Sequence, residues 1–264
     1  MANRNRAEYD PWAEFYDLTN LGLPGEAEFY VGQAIRCEGE TLELGCGTGR
    51  IAIPMAMSGV HVTGLDNSQA MLERCRAKKR AVGPVPGKLK LVKADMRDFN
   101  LGKTFEFIAA PYRALMHLLT PEDQCACLEC VHRHLADDGL FIFNCWNPLP
   151  SQVATMTGAQ AGMLRYVGSH QRPGFSLSLR HFCAMMCDET HQVLSEQHII
   201  HVVNPKGRVT RTEVLSLERA WLSPRETDNL VRLCGFEVEA VFGDFDCNPL
   251  GPTSAEMIWV LRKM

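Results

Sequence analysis

The chain has 264 residues, 46% of them hydrophobic, and a formal net charge of −4. That length buries one large core, or one core with a smaller lobe, and the slight acidity excludes the broad basic surface of a non-specific nucleic-acid binder. No stretch approaches the ~20 apolar residues of a membrane-spanning helix, and eleven cysteines without a secretory signal read as reduced thiols in a cytoplasm.

In chain order, residues 41–44 form a short apolar strand that runs into glycines, and 50–58 read as a helix stopped by Gly59. Residues 60–65 are again β-type and end at Asp66; Ser68 then caps a helix with Met71, Leu72 and Cys75 on one face. The breakers of 83–87 form a loop. Residues 89–92 and 105–109 are two further strands, the first leading to Asp95. Thr120-Pro121 opens a helix that runs to about Leu135, and Asp138-Gly139 turns the chain into a fifth strand over 140–144. Alternating strands and helices predict a mainly parallel sheet covered on both faces.

From 147 to 220 the helical period fades, and β-type segments occupy 174–187, 190–203 and 208–219 with turn residues between them. Ser223-Pro224-Arg225-Glu226 is a capping box that opens a helix ending at Gly235, followed by strands at 236–242 and 255–261. The expected fold is α/β: a doubly wound, Rossmann-like, mostly parallel seven-stranded sheet, with an antiparallel β insertion after the fifth strand. The core is expected to comprise 1–146 and 221–264, and the insertion 147–220.

Chemistry concentrates in Leu42-Glu43-Leu44-Gly45-Cys46-Gly47-Thr48-Gly49-Arg50. Three glycines let a strand turn sharply and bring bare backbone close to a ligand. Arg50 stands where a dinucleotide fingerprint wants its third glycine, and no Gly-Lys-Ser/Thr ending is present, so neither a pyrophosphate site nor a P-loop is expected. Asp66 ends the second strand, where an acid accepts ribose hydroxyls, and Asp95 follows the third. Together with Glu43 they offer three acids at the carboxyl edge of the sheet.

On these residues the chain resembles the class I S-adenosylmethionine-dependent methyltransferases. Residues 42–50 resemble their first motif, Gly64-Leu65-Asp66-Asn67-Ser68 the second and Lys93-Ala94-Asp95-Met96 the third. The likeness covers about 9–146 and 221–264, and the insertion is similar in position and character to a substrate lid. It implies S-adenosylmethionine as cofactor, with S-adenosylhomocysteine as product. The implied cofactor site is Tyr16, Glu43, Gly45, Cys46, Gly47, Gly49, Arg50, Asp66, Asn67, Met71, Ala94, Asp95, Met96 and Ala110. In this set Glu43 sits near the ammonium, Asp66 on the ribose and Asp95 on the adenine amino group, with Tyr16 closing over the cofactor.

The reaction implied is methyl transfer to N, O or S of a small metabolite, for which acceptor placement matters most and a hydroxyl acceptor gains from a base. After the fourth strand, Tyr112, Arg113 and His117 are candidate substrate contacts, with His117 and Tyr112 the candidate catalytic pair. Trp146 and Asn147 leave the fifth strand at the same edge and complete the substrate set. Arg113 is suited to a substrate carboxylate. Two rival functions are a nicotinamide-dependent oxidoreductase and a non-catalytic nucleoside-binding regulator of the same fold. No metal site is expected: Cys127, Cys130 and His134 share a helix face, but so do Cys127, Val131 and Leu135, which read as a core stripe. Of the insertion's histidines, His198 and His201 are three apart and point to opposite faces of a strand. The expected partner is a small molecule, with neither nucleic acid nor membrane, and with a homodimer compatible.

Overall fold

The computed structural model describes residues 8–171 and 177–264. The segment before the sheet holds α1 (Tyr16–Thr19) and α2 (Glu26–Arg36). There follow β1 (Glu40–Leu44), α3 (Ala52–Met57), β2 (His61–Asp66), α4 (Gln69–Val82), β3 (Leu89–Lys93) and β4 (Phe105–Ala110). A 3-10 turn (Ala114–His117) leads to α5 (Pro121–His134) and β5 (Leu135–Trp146). Next come α6 (Pro150–Thr157), β6 (Arg165–His170), β7 (Ser178–Asp188), β8 (Val193–Val203) and β9 (Val209–Ala220). The chain ends with α7 (Pro224–Leu233), β10 (Phe236–Phe242) and β11 (Glu256–Lys263).

The seven-stranded sheet runs β10-β11-β5-β4-β1-β2-β3. β1 to β5 are parallel neighbours, whereas β11 is antiparallel to both β5 and β10. Strand order reverses at β1, whose carboxyl end faces the crevice where open α/β sheets take ligands. Alternation divides the core. Leu42 and Leu44 pack with Cys127, Val131 and Val231 of α5 and α7 on one face. Residues of the other face, such as Val62 and Phe107, pack with Tyr30, Met55 and Leu72 of α2, α3 and α4. The four-stranded sheet β6-β7-β8-β9 is wholly antiparallel.

The capping signals act locally as expected. The Ser68 hydroxyl accepts from the Met71 N–H at 3.1 Å, Thr120 accepts from Asp123 at 3.2 Å, and Ser223 and Glu226 cap reciprocally. Four features differ from the sequence reading. Asp138-Gly139 is no turn between helix and strand: β5 starts at Leu135, and 136–139 form a bulge, because Phe105 faces Leu135 whereas Phe107 faces Leu140. The helix expected over 50–58 is shorter, the glycine loop holding the chain in turns until Ala52. The strand expected from 174 begins among the described residues at Ser178, its first residues lying outside them. The helices α2 and α6 and the strand β6 have no counterpart in the expected elements. Strand β6 is largely exposed, so its sequence lacks the apolar alternation that marks a half-buried strand.

Candidate active site

Three strand ends and the N-terminal segment enclose one cleft of about 920 Å³. Of the expected cofactor set, Tyr16, Gly45, Gly47, Asp66, Asn67, Met71, Ala94, Asp95 and Met96 line it, together with Tyr112 and His117. Gly47 holds φ +53°, and a Cβ there would come within 3.3 Å of Met71 Cε. A Cβ on Gly45 (φ +66°) would meet Ala114 Cβ at 3.2 Å. The loop floor is therefore bare backbone because a side chain has neither the dihedral nor the room.

Asp66 shapes this floor. One carboxylate oxygen accepts the Gly47 N–H at 2.7 Å and the other the Ser68 N–H at 2.8 Å. Burial raises its pKa, and those two donors oppose the rise. Asp95 is instead gripped by Arg97, whose Nε lies at 2.9 Å and Nη2 at 2.6 Å, and whose hydrogen bonds hold the carboxyl below its usual range. Asp95 and Met96 both line the cleft.

Glu43, Cys46, Gly49, Arg50 and Ala110 do not line the cleft. Strand alternation turns Glu43 away from the side of Leu42 and Leu44, and its Oε2 has no partner. Burial pushes its pKa up to about 8. Cys46 packs in the core beneath the loop. A Cβ on Gly49 would strike Cys75 Sγ at 2.5 Å, so that glycine serves helix packing. Arg50 donates to Glu26 Oε2 at 2.6 Å and lies 4.5 Å over the Tyr112 ring. Glu26, fully buried, also accepts the Tyr112 N–H at 2.8 Å through Oε1.

A second pocket of about 660 Å³ adjoins the first, with Tyr9, Tyr112 and His117 lining both. Its other walls are Trp12, Asn20 and Arg113 and, from the four-stranded sheet, His181, Glu196, His198, Leu217 and Arg219. The Tyr9 hydroxyl and His117 Nε2 share a hydrogen bond of 3.0 Å. Burial raises the Tyr9 pKa well above its ordinary value, so the phenol stays protonated in the absence of a base. His117 Nδ1 sits 3.5 Å from Glu8 Oε2, close enough for charge but without hydrogen-bond geometry. Tyr112 and Arg113 both adopt left-handed backbone, φ 54° and 64°, the kind of strain that surrounding contacts hold at functional loops.

Three expected substrate contacts are otherwise engaged. The Arg113 guanidinium reaches the pocket wall but is clamped on Glu256, with Nε at 2.9 Å and Nη2 on the same oxygen. Trp146 packs against the core and its backbone N lies 3.4 Å from Met116 Sδ, while Asn147 donates from Nδ2 to the Ser254 carbonyl at 2.7 Å. Neither lines either pocket. Sequence reasoning missed Tyr9, Glu26, Glu196 and Arg219. Only Glu196 left a trace, as an acid in step with the apolar positions Leu194 and Ile200 of β8.

Comparison with known proteins places these features in context. Residues 41–139 match a family described as a methyltransferase domain. The chain is similar to a cypemycin N-terminal methyltransferase of a Streptomyces species, at 26% identity over 259 residues and 97% of each chain. Its fold is similar to the CcbJ methyltransferase from Streptomyces caelestis, with a TM-score of 0.78, 25% identity and 99% of each chain covered. It also resembles CalS10, an amino pentose methyltransferase from Micromonospora echinaspora solved with S-adenosylmethionine bound. That likeness has a TM-score of 0.69 at 19% identity, covers 99% of this chain and 100% of that one, and speaks to the fold. Among the described residues, no helix is long and apolar enough to cross a membrane.

Proposed function

The chain is a class I S-adenosylmethionine-dependent methyltransferase acting on a small molecule, and we propose that its acceptor atom is the nitrogen of a neutral amine. The observation carrying this reading is the Tyr9–His117 pair at the junction of the two pockets. It supplies a hydrogen-bonding platform, and His117 Nδ1 faces Glu8 at 3.5 Å without the hydrogen bond of a base-activating dyad. The full-length relative named for N-terminal methylation supports the same choice.

The first cleft suits the cofactor by its own residues. Asp66 is proposed to hold the ribose hydroxyls with the lone pairs left by Gly47 and Ser68. Asn67 and Met71 then flank the adenosine, Ala94, Asp95 and Met96 the base, and Tyr16 covers it. S-adenosylmethionine, when bound, supplies an electrophilic methyl group on sulfur. The chain must therefore place the acceptor, exclude water and receive a proton. Tyr112 and His117 stand between the pockets, His117 Nε2 and the Tyr9 hydroxyl orient the amine lone pair, and the imidazole takes the proton released on methylation.

The β-rich insertion, 147–220, is read as a lid over the substrate, carried on the core of 1–146 and 221–264. The site is read as a small-molecule site with no nucleic acid, in a cytoplasmic protein able to form a homodimer. Isothermal titration tests the cofactor cleft: S-adenosylhomocysteine binds the wild type, and Asp66→Ala weakens it at least about 100-fold, the effect of losing hydrogen bonds to a charged group. A panel of matched amines, alcohols and thiols, read by product mass, tests the acceptor. Methylation confined to alcohols or thiols overturns the amine reading, and no binding by wild type overturns the cleft.

A further inference from the structure

The inner face of the four-stranded sheet is apolar at Leu179, Leu194, Ile200 and Leu215, yet His181, Cys183, Glu196 and His198 are buried among them. Burying such groups is unfavourable unless they are paired or bind something. We propose that Cys183, Glu196 and His198 form a binding site for a zinc-type divalent cation on the lid. This inference rests on the lid's own geometry and is independent of the amine reading.

Antiparallel register places Cys183 of β7 directly opposite His198 of β8. Glu196, two residues before His198, shares its face. His198 Nε2 lies 3.1 Å from Glu196 Oε2 and 3.8 Å from Cys183 Sγ. The three donor atoms all fall within 4.8 Å of one another. Zinc bond lengths of about 2.3 Å to sulfur and about 2.0 Å to nitrogen or oxygen space tetrahedral ligands by about 3.5 Å for S to N and about 3.3 Å for N to O. The two measured separations sit within a few tenths of those edges.

The surroundings are those of a metal site. The far oxygen of Glu196 accepts from Arg219 Nε at 2.7 Å, with Nη2 on the same atom. His198 Nδ1 lies 2.8 Å from His181 Nε2. Outer partners of this kind fix the direction of the ligating atoms. The Cys183 thiol is the poorly used member, with its nearest acceptor, the Ala184 carbonyl, at 3.7 Å. Cation binding forms one bond each to sulfur, oxygen and His198 Nε2. It releases the Cys183 thiol proton to solvent, and the remaining imidazole proton sits on Nδ1, facing His181. One sulfur, one nitrogen and one oxygen donor favour zinc-like ions over calcium or magnesium. The fourth position is left to water or substrate, and Glu196 and His198 border the substrate-side pocket. This departs from the metal-free expectation drawn from sequence, which examined the helical cysteines instead.

The test is titration of the full chain, dialysed against chelator, with cobalt(II) alone. One cobalt per chain is expected, with a thiolate-to-cobalt band in the near ultraviolet and visible bands of four-coordinate cobalt. Cys183→Ser, close in volume, abolishes the near-ultraviolet band, and His198→Gln weakens cobalt binding at least tenfold. Cys125→Ser, which disturbs the Cys125–Cys234 thiol pair, keeps the band. No binding at micromolar cobalt, or a band that survives Cys183→Ser or vanishes with Cys125→Ser, overturns the proposal. Should His198→Gln fail to fold, Cys183→Ser and Cys125→Ser decide it.

Discussion

The Tyr9 hydroxyl and His117 Nε2, separated by 108 positions in the chain, meet at 3.0 Å where the first cleft joins the second pocket. Removing the hydroxyl while keeping the ring separates chemistry from packing. Tyr9→Phe is expected to lower kcat about 10- to 100-fold, near the lower end of what a positioned proton acceptor contributes, with binding of S-adenosylhomocysteine unchanged. His117→Ala is expected to lower kcat at least as far. If both variants keep wild-type kcat, the pair has no part in the reaction.

Glu43 sets a pH dependence of stability. Its carboxyl ionises near 4.5 when exposed and near 8 when folded, chiefly through burial. Between those values the folded state binds more protons than the unfolded one, so unfolding free energy falls as pH rises from 4.5 to 8 and levels off above. Glu43→Gln removes the ionisation and keeps the shape. The variant is expected to melt a few degrees higher than wild type at pH 8, with the gap closing by pH 5, as read by calorimetry. An unchanged melting profile with lost binding of S-adenosylhomocysteine would instead assign Glu43 to the cofactor.

Arg113 is the anchor of a strained loop. Its guanidinium is clamped on Glu256, whose other oxygen accepts from Asn144 Nδ2 at 2.9 Å; Asn144 in turn accepts from the Tyr30 hydroxyl at 3.1 Å. Glu256→Ala leaves a half-buried cation and the Asn144 amide N–H without their partner. Breaking one side of such a pair costs about 3 kcal/mol, which corresponds to about 6–12 °C in Tm at this chain length. The double variant Arg113→Met, Glu256→Met is expected to regain much of that loss, since an apolar pair leaves no unpaired charge. A double variant no more stable than Glu256→Ala would show that the ion pair is not the source.

The parallel sheet was legible because each of its strands is a short apolar run bounded by a glycine, a cap or an acid, which is local information. The glycine loop and Asp66 were legible for the same reason: one turn brings them together. Tyr9 was not, because it meets His117 only through the docking of a segment 108 residues away in sequence. Arg113 lines the second pocket, but sequence reveals a cation's reach and not the Glu256 carboxylate that engages it from 143 residues further on. Trp146 and Asn147 occupy the expected strand end, yet the first packs against the core and the second donates to Ser254, and neither lines the two pockets. In the four-stranded sheet, strand alternation predicted the opposite facing of His198 and His201, and the structure buries the first while His201 packs against Phe182. Strand register, which sets Cys183 across from His198, was beyond reach without the turns.

Docking of the N-terminal segment leads to the last prediction. Trp12, Phe15 and Leu18 form one apolar cluster with Leu179, Ile200 and Leu215 of the four-stranded sheet, and the Trp12 ring meets His198 edge-on at 4.7 Å. The same segment is tied to the core by polar contacts, with Asp10 accepting from the Ser68 hydroxyl at 2.6 Å and Asp17 from Thr48 at 2.6 Å and Lys78 at 2.9 Å. It thus bridges the two sheets while presenting Tyr9 and Tyr16 to the cleft. Trp12→Ala removes a large buried ring at about 3–5 kcal/mol, and that loss falls on the bridge, because the strands of the core do not touch Trp12's cluster. Hydrogen exchange of residues 9–19 is expected to rise at least about tenfold while β1 and β2 keep their protection, since local opening needs less free energy than global unfolding. S-adenosylhomocysteine is expected to restore part of the protection, because Tyr16 lines the cleft it would fill. Equal acceleration across β1 and β2 would place the tryptophan in the global core and remove the bridging role.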